Sequence, residues 1–143
     1  MQAELSLGTR TVNTKIWAYG FGAAGFAAAF NVILLLIGRA ANVPFLVPTP
    51  GDPGTLQTVT PIMVIISTVA ALGIGVLGTA LIAPRILHGL FRFQVLAAAL
   101  TVLSLLAPLA QTEGATTAWL SAMHLISGTT FIIGLRGARE SER

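Results

Sequence analysis

Four long apolar runs dominate this sequence, and they restrict it more than any other feature. They cover roughly residues 16–38, 59–83, 94–110 and 115–135. A helix needs about 20 apolar residues to cross a hydrocarbon core roughly 30 Å thick. Lipid offers no hydrogen bonds to an open backbone, so spans of this kind fold as α-helices. The expectation is an all-α membrane domain occupying 1–143, a four-transmembrane-helix up-down bundle with both termini cytoplasmic. Composition agrees. Hydrophobic residues make up 55% and charged residues 9%, too few charges to cover a water-soluble surface. The net charge of +3 comes without a basic run or interleaved aromatics, so no nucleic-acid partner is expected. With no cysteine, disulfides, thiolate metal sites and Cys nucleophiles are excluded.

Charge placement orients the spans. Arg10 and Lys15 precede the first span, Arg85 and Arg92 lie in the second loop, and Arg136, Arg139 and Arg143 follow the fourth. Only Arg39 falls on the other side. Positive residues favour the cytoplasmic face, so the expected location is the inner (plasma) membrane, crossed four times. Trp17, Tyr19, Phe21 and Trp119 sit where interfacial aromatic anchors belong. The Ala27–Ala29 triplet resembles a leader cleavage site, but the apolar helix continues past it, so no cleavage is expected.

The connections differ in length. Residues 39–58 form a long outer loop with four prolines and two glycines, which forbid a regular helix. Its apolar stretch 43–47 predicts an ordered loop folded back over the bundle mouth as a partial lid; the alternative is a flexible Pro-rich linker. The other two connections are short, which favours antiparallel neighbours. Gly20, Ala24 and Ala28, and Ala71, Gly75 and Thr79, follow the small-residue spacing that lets helices approach closely. Pro61 falls in the first turn of the second span, where proline is tolerated. Pro108 is expected to kink the end of the third.

Polar side chains inside lipid are costly, so their positions are informative. Asn31 lies roughly 12 Å and His124 roughly 14 Å below the outer interface, counted at 1.5 Å per residue. Ser67, Thr68 and Ser104 fall roughly 10 Å down by the same count. On span four, Thr117, Ser121, His124 and Gly128 form one helical stripe. On span one, Asn31, Gly38 and Asn42 form another, with Arg39 beside them. If both stripes face inward they floor a pocket rimmed by Arg39, Asp52, Gln57, Gln111 and Glu113.

His124 has two main readings. It is either helix glue, hydrogen-bonded to Asn31 or Ser104, or an acid, base or ligand contact. Metal or haem is disfavoured, because the second histidine, His88, lies in the opposite loop; no metal and no cofactor are expected. Arg39 is either a helix-end cation paired with Asp52 or Glu113, or an anchor for an anionic group. Asp52, between Gly51 and Pro53, reads as a turn residue. Glu113 reads as a charge favoured at a helix N-terminus. The phosphate loop, the Gly-x-Ser-x-Gly elbow and HExxH are absent, and no lysine or carboxylate lies deep in a span.

The segment Leu105-Leu106-Ala107-Pro108-Leu109, then Ala122-Met123-His124-Leu125-Ile126-Ser127-Gly128 running into an Arg-rich tail, resembles an uncharacterised family of small four-helix bacterial integral membrane proteins, a domain of unknown function. Val43-Pro44-Phe45 resembles its first loop. The resemblance implies the four-span fold and no activity.

Three functions remain open. The first is a module binding a hydrophobic small molecule or lipid in an outward-facing cavity, with Asn31, Arg39, Asn42, Ser67, Ser104, Ser121 and His124 as ligand contacts. As such it would serve as a binding, transport-accessory or assembly module, with a homo-oligomer among its expected forms. The second is a metal-free enzyme on an isoprenoid-like substrate, with His124, Glu113 and Asp52 as acid–base groups. The third is a structural subunit of a larger membrane complex.

Overall fold

The computed structural model describes residues 2–140, and the side chains of 14–52 and 54–140. Its elements are helix α1 (Gln2–Ala40), strands β1 (Leu46–Thr49) and β2 (Asp52–Thr58), helix α2 (Pro61–Ile82), a 3-10 turn (Ala83–Arg85), and helices α3 (Gly89–Ser104), α4 (Leu106–Gln111) and α5 (Gly114–Glu140). Among the described residues, four stretches are long and apolar enough to cross a membrane: Thr14–Ala40, Pro61–Arg85, Gly89–Gln111 and Gly114–Glu140. The side chain of Arg10, and all of Arg143, lie outside the described residues.

The third span starts earlier than expected, ends within one residue of the expected bound, and is broken internally. It begins at Gly89 and breaks at Leu105 into α3 and α4. The break has a local cause. Pro108 has no amide hydrogen for the carbonyl four residues back, that of Ser104, and its ring crowds that carbonyl. The chain turns there, with the Leu105 amide bonding Val102 O at 3.2 Å.

α1 packs against both α2 and α5, and α3 packs against α5. Small residues set these approaches. A Cβ on Gly20 would meet Val76 of α2 at 2.5 Å, and one on Gly134 would meet the Tyr19 carbonyl of α1 at 2.9 Å. One on Gly128 would run into the Thr101 side chain of α3. The pairs Gly20–Val76 and Asn31–Thr68 show α1 and α2 running in opposite directions. Gly134–Tyr19 and Gly38–Trp119 show the same for α1 and α5. α2 and α3, although consecutive, touch little, and α2 touches α5 still less.

The connection between α1 and α2 is an antiparallel hairpin, a strand pair that proline and glycine content alone did not suggest. Leu46 pairs with Thr58, Val47 with Gln57 and Pro48 with Leu56, with an irregularity before Thr49. Pro50 and Gly51 make the turn, and Gly51 at φ +84° takes the left-handed position that glycine tolerates best. Below it, Val43 and Phe45 turn down into the bundle. They join Leu35, Val59, Val64 and Met123 in a buried cluster flanked by Trp119 and Leu120. Gly38 makes room, since a Cβ there would meet the Phe45 ring at 2.5 Å. A second apolar cluster, built on Ile16, Val76, Leu90, Phe131 and Leu135, fills the opposite end.

Candidate functional site

Between the two apolar clusters lies a polar layer, and the structure divides it into two groups. The first is a knot joining three helices. Asn31 of α1 is 2% exposed. Its Nδ2 donates to Thr68 Oγ1 of α2 at 3.2 Å and to Ser127 Oγ of α5 at 2.9 Å. Ser127 Oγ in turn donates to Met123 O at 2.9 Å. Asn31 Oδ1 is buried without a partner. Exchanging the amide's two ends would leave Nδ2 on the dry side instead, so one end stays unsatisfied in either assignment. Asn31→Ala is expected to destabilise the bundle by about 1 kcal/mol, two interhelical hydrogen bonds at about 0.6 kcal/mol each in a membrane. Denaturation in mixed detergent micelles would measure it; no loss would mean the knot is not holding the helices.

The second group surrounds His124. Its Nδ1 lies 2.8 Å from Leu120 O, one turn back on its own helix, and the ring is half-buried. Two contacts fix the face it occupies. Gly128, one turn on, touches Thr101 of α3, and Phe131, two turns on, lies against Gly75 of α2. Positions four and seven apart share a helical face, so His124 faces the gap between α2 and α3. The same pairings fix its level. Moving four residues back from Gly128 on α5, and three on from Thr101 along the oppositely directed α3, reaches Ser104. Moving seven back from both Phe131 and Gly75 reaches the turn of Ser67 and Thr68. His124 and Ser104, both half-buried, and Ser67, which is exposed, therefore sit at one height beside the gap that α2 and α3 leave between them. Ser121 lies half-buried one turn nearer the hairpin.

The two polar stripes do not floor one shared pocket. Asn31 reaches Ser127, on the α1 side of α5, rather than His124. The space above it is filled by Val43, Phe45, Leu35 and Met123. The apolar stretch 43–47 was expected as a partial lid; its buried residues act as a plug, because Phe45 is large enough to occupy the volume between Gly38 and Trp119. Asn42 is exposed at the loop start with φ 61°. Arg39 Nη2 donates to Val59 O at 2.6 Å. Among the described residues neither Asp52 nor Glu113 pairs with Arg39. Asp52 Oδ1 instead accepts from the Gly54 amide at 3.2 Å within its own turn. Glu113 is exposed before α5. It lies 11 residues ahead of His124, roughly 16 Å along a helix at 1.5 Å per residue, beyond any direct proton transfer.

A groove of about 300 Å³ runs between α1 and α5 on the outer flank, lined by Phe26, Phe30, Leu125, Ile126, Thr129 and Thr130. The i, i+4 pair Phe26 and Phe30, stacked at 5.9 Å, was the sequence signal for it.

Four apolar helices of membrane-crossing length, a polar layer at mid-depth and an ordered loop at one end define a multi-pass α-helical membrane protein. Residues 11–141 match the model of DUF6069, a family of unknown function, and the chain belongs to that family. No curated protein and no solved structure matches it.

Proposed function

We propose that this protein is a membrane-embedded binding module that takes an apolar small molecule or lipid into the crevice between α2 and α3, with His124 as its polar contact. The observation that carries this reading is the His124 ring: half-buried at mid-depth, one nitrogen held by Leu120 O, the other without a partner among the described residues. A polar atom at this depth has a cost unless something satisfies it, and α2 and α3, between which it faces, touch little. The charge asymmetry supports an orientation with the hairpin outside and Lys15, Arg85, Arg92, Arg136 and Arg139 on the cytoplasmic side of a plasma membrane. The crevice then serves the outer half of the bilayer. Arg39 fastens the hairpin base on this reading rather than touching the ligand.

The test is extraction. Protein purified in native lipid discs is expected to carry one apolar species enriched over bulk lipid by mass spectrometry. His124→Ala should lose that species and Arg136→Gln should keep it. An unchanged lipid profile in His124→Ala would overturn the proposal. A second reading, a structural subunit of a larger complex, draws support from the Asn31 knot, which binds helices and presents nothing to a ligand. A stoichiometric protein partner that remains bound after His124→Ala would favour it.

A further inference from the structure

We infer that the molecule held in the α2–α3 crevice is recognised through a hydroxyl group, which donates its hydrogen to His124 Nε2. This rests on the binding reading above and adds the chemical class of the ligand.

Leu120 O, a backbone carbonyl, can only accept. At 2.8 Å from it, Nδ1 must carry the hydrogen. In a neutral imidazole the other nitrogen is then a bare acceptor, and the partner of one ring nitrogen sets the role of the other. The neighbouring hydroxyls point the same way. Ser67 Oγ donates to Val64 O at 3.2 Å, Thr101 Oγ1 to Ala97 O at 2.7 Å, and Ser104 Oγ to Thr101 O at 2.7 Å. Each commits its only hydrogen to its own helix and presents lone pairs. Apart from Ser121, the groups at this level therefore offer Nε2 acceptors and no donor. A ketone, ether or ester would set lone pairs against lone pairs. A donor is required.

Ser121 narrows the class. It lies three residues before His124, on the neighbouring face position one turn away, and its hydroxyl has no partner among the described residues. It can donate to the ligand's polar atom. A hydroxyl group both gives to Nε2 and receives from Ser121. An ammonium group gives and cannot receive. The geometry thus favours an apolar alcohol or phenol over a lipophilic cation.

The experiment uses two probes of equal apolar length: a sixteen-carbon alcohol carrying a photoreactive diazirine in its chain, and its methyl ether. Full-length protein in lipid discs is irradiated with each, and labelling is mapped by peptide. The alcohol is expected to label the α3 and α5 segments around Ser104 and His124 about tenfold more than the ether, the ratio one hydrogen bond supplies. In His124→Ala that preference should fall to about one. In parallel, nitrogen-15 spectra of histidine-labelled His88→Gln protein, which retains only His124, should show a protonated Nδ1 and a bare Nε2. The Nε2 resonance should move when the alcohol is added. Equal labelling by alcohol and ether at those segments would overturn the hydroxyl inference while leaving the binding reading intact. Absence of labelling there by either probe would overturn both. An Nε2 that already carries a hydrogen before any probe is added would overturn the inference by itself.

Discussion

Phe45→Ala is expected to destabilise the protein by about 3–5 kcal/mol, the usual loss for a large aromatic deleted from a packed interior. Phe45 is fully buried. It packs on Gly38 of α1 and meets Trp119 of α5 edge-on, with ring centroids 6.4 Å apart. The replacement therefore opens the joint between hairpin and bundle. The backbone supplies a sharper check on the cause. Phe45 sits at φ 47°, a left-handed conformation that costs a residue with a Cβ about 1–2 kcal/mol. Phe45→Gly should therefore be less damaging than Phe45→Ala by about 1 kcal/mol, the reverse of the order found in ordinary strands and helices. Thermal unfolding in detergent, followed by tryptophan fluorescence, reads both variants. Equal losses would show that the ring carries the effect without the backbone strain; a small loss in both would show that the hairpin is not docked.

Gly128→Ala is the second large effect, expected at about 1–3 kcal/mol, the range for overpacking a tight interior. The added methyl meets Oγ1, Cγ2 and Cβ of Thr101. It cannot fit until α3 moves away from α5. Thr101→Gly removes the obstructing side chain, so the double variant Gly128→Ala, Thr101→Gly should recover stability relative to the sum of the single changes. Because Ser104 rides on α3, the single variant should also weaken ligand retention measured as for His124→Ala. Additive losses in the double variant would mean that the two positions do not touch.

The spans were legible because their signal is simple. Apolar length and the near-absence of charge mark a membrane helix whatever its neighbours do, and the four runs appear close to where the sequence places them. Boundaries were less legible. The third span starts five residues before Gln94, since Leu90, Phe91 and Phe93 continue the apolar character that Arg92 interrupts. The effect of Pro108 was readable in kind, but its place, a turn earlier at Ser104–Leu105, follows from the carbonyl that proline crowds. The hairpin was hidden by its prolines. Pro50 belongs to the turn and Pro48 to a four-residue strand that pairs on one side only, positions where a missing amide does little harm.

The polar layer was visible as a set of depths, but not as a set of partners. Depth is set by counting along one helix. Partnership depends on how each helix is rotated about its axis, and the moderate spread of small residues around α1 and α5 does not determine that. Asn31 and His124 therefore sit at similar heights and serve different neighbours. Asp52 and Glu113 were selected for their charge, and charge gave no information about reach.

The hairpin is tied at its root by three short bonds: Val43 N to Gly38 O and Val59 N to Phe45 O, both 2.9 Å, and Arg39 Nη2 to Val59 O at 2.6 Å. Its ends are thus fastened independently of its tip, where Thr49 to Asp52 make a solvent-facing bend. A foreign epitope grafted between Pro50 and Gly51 would hang clear of the lipid-embedded part, and antibody access to it in intact cells would read sidedness directly.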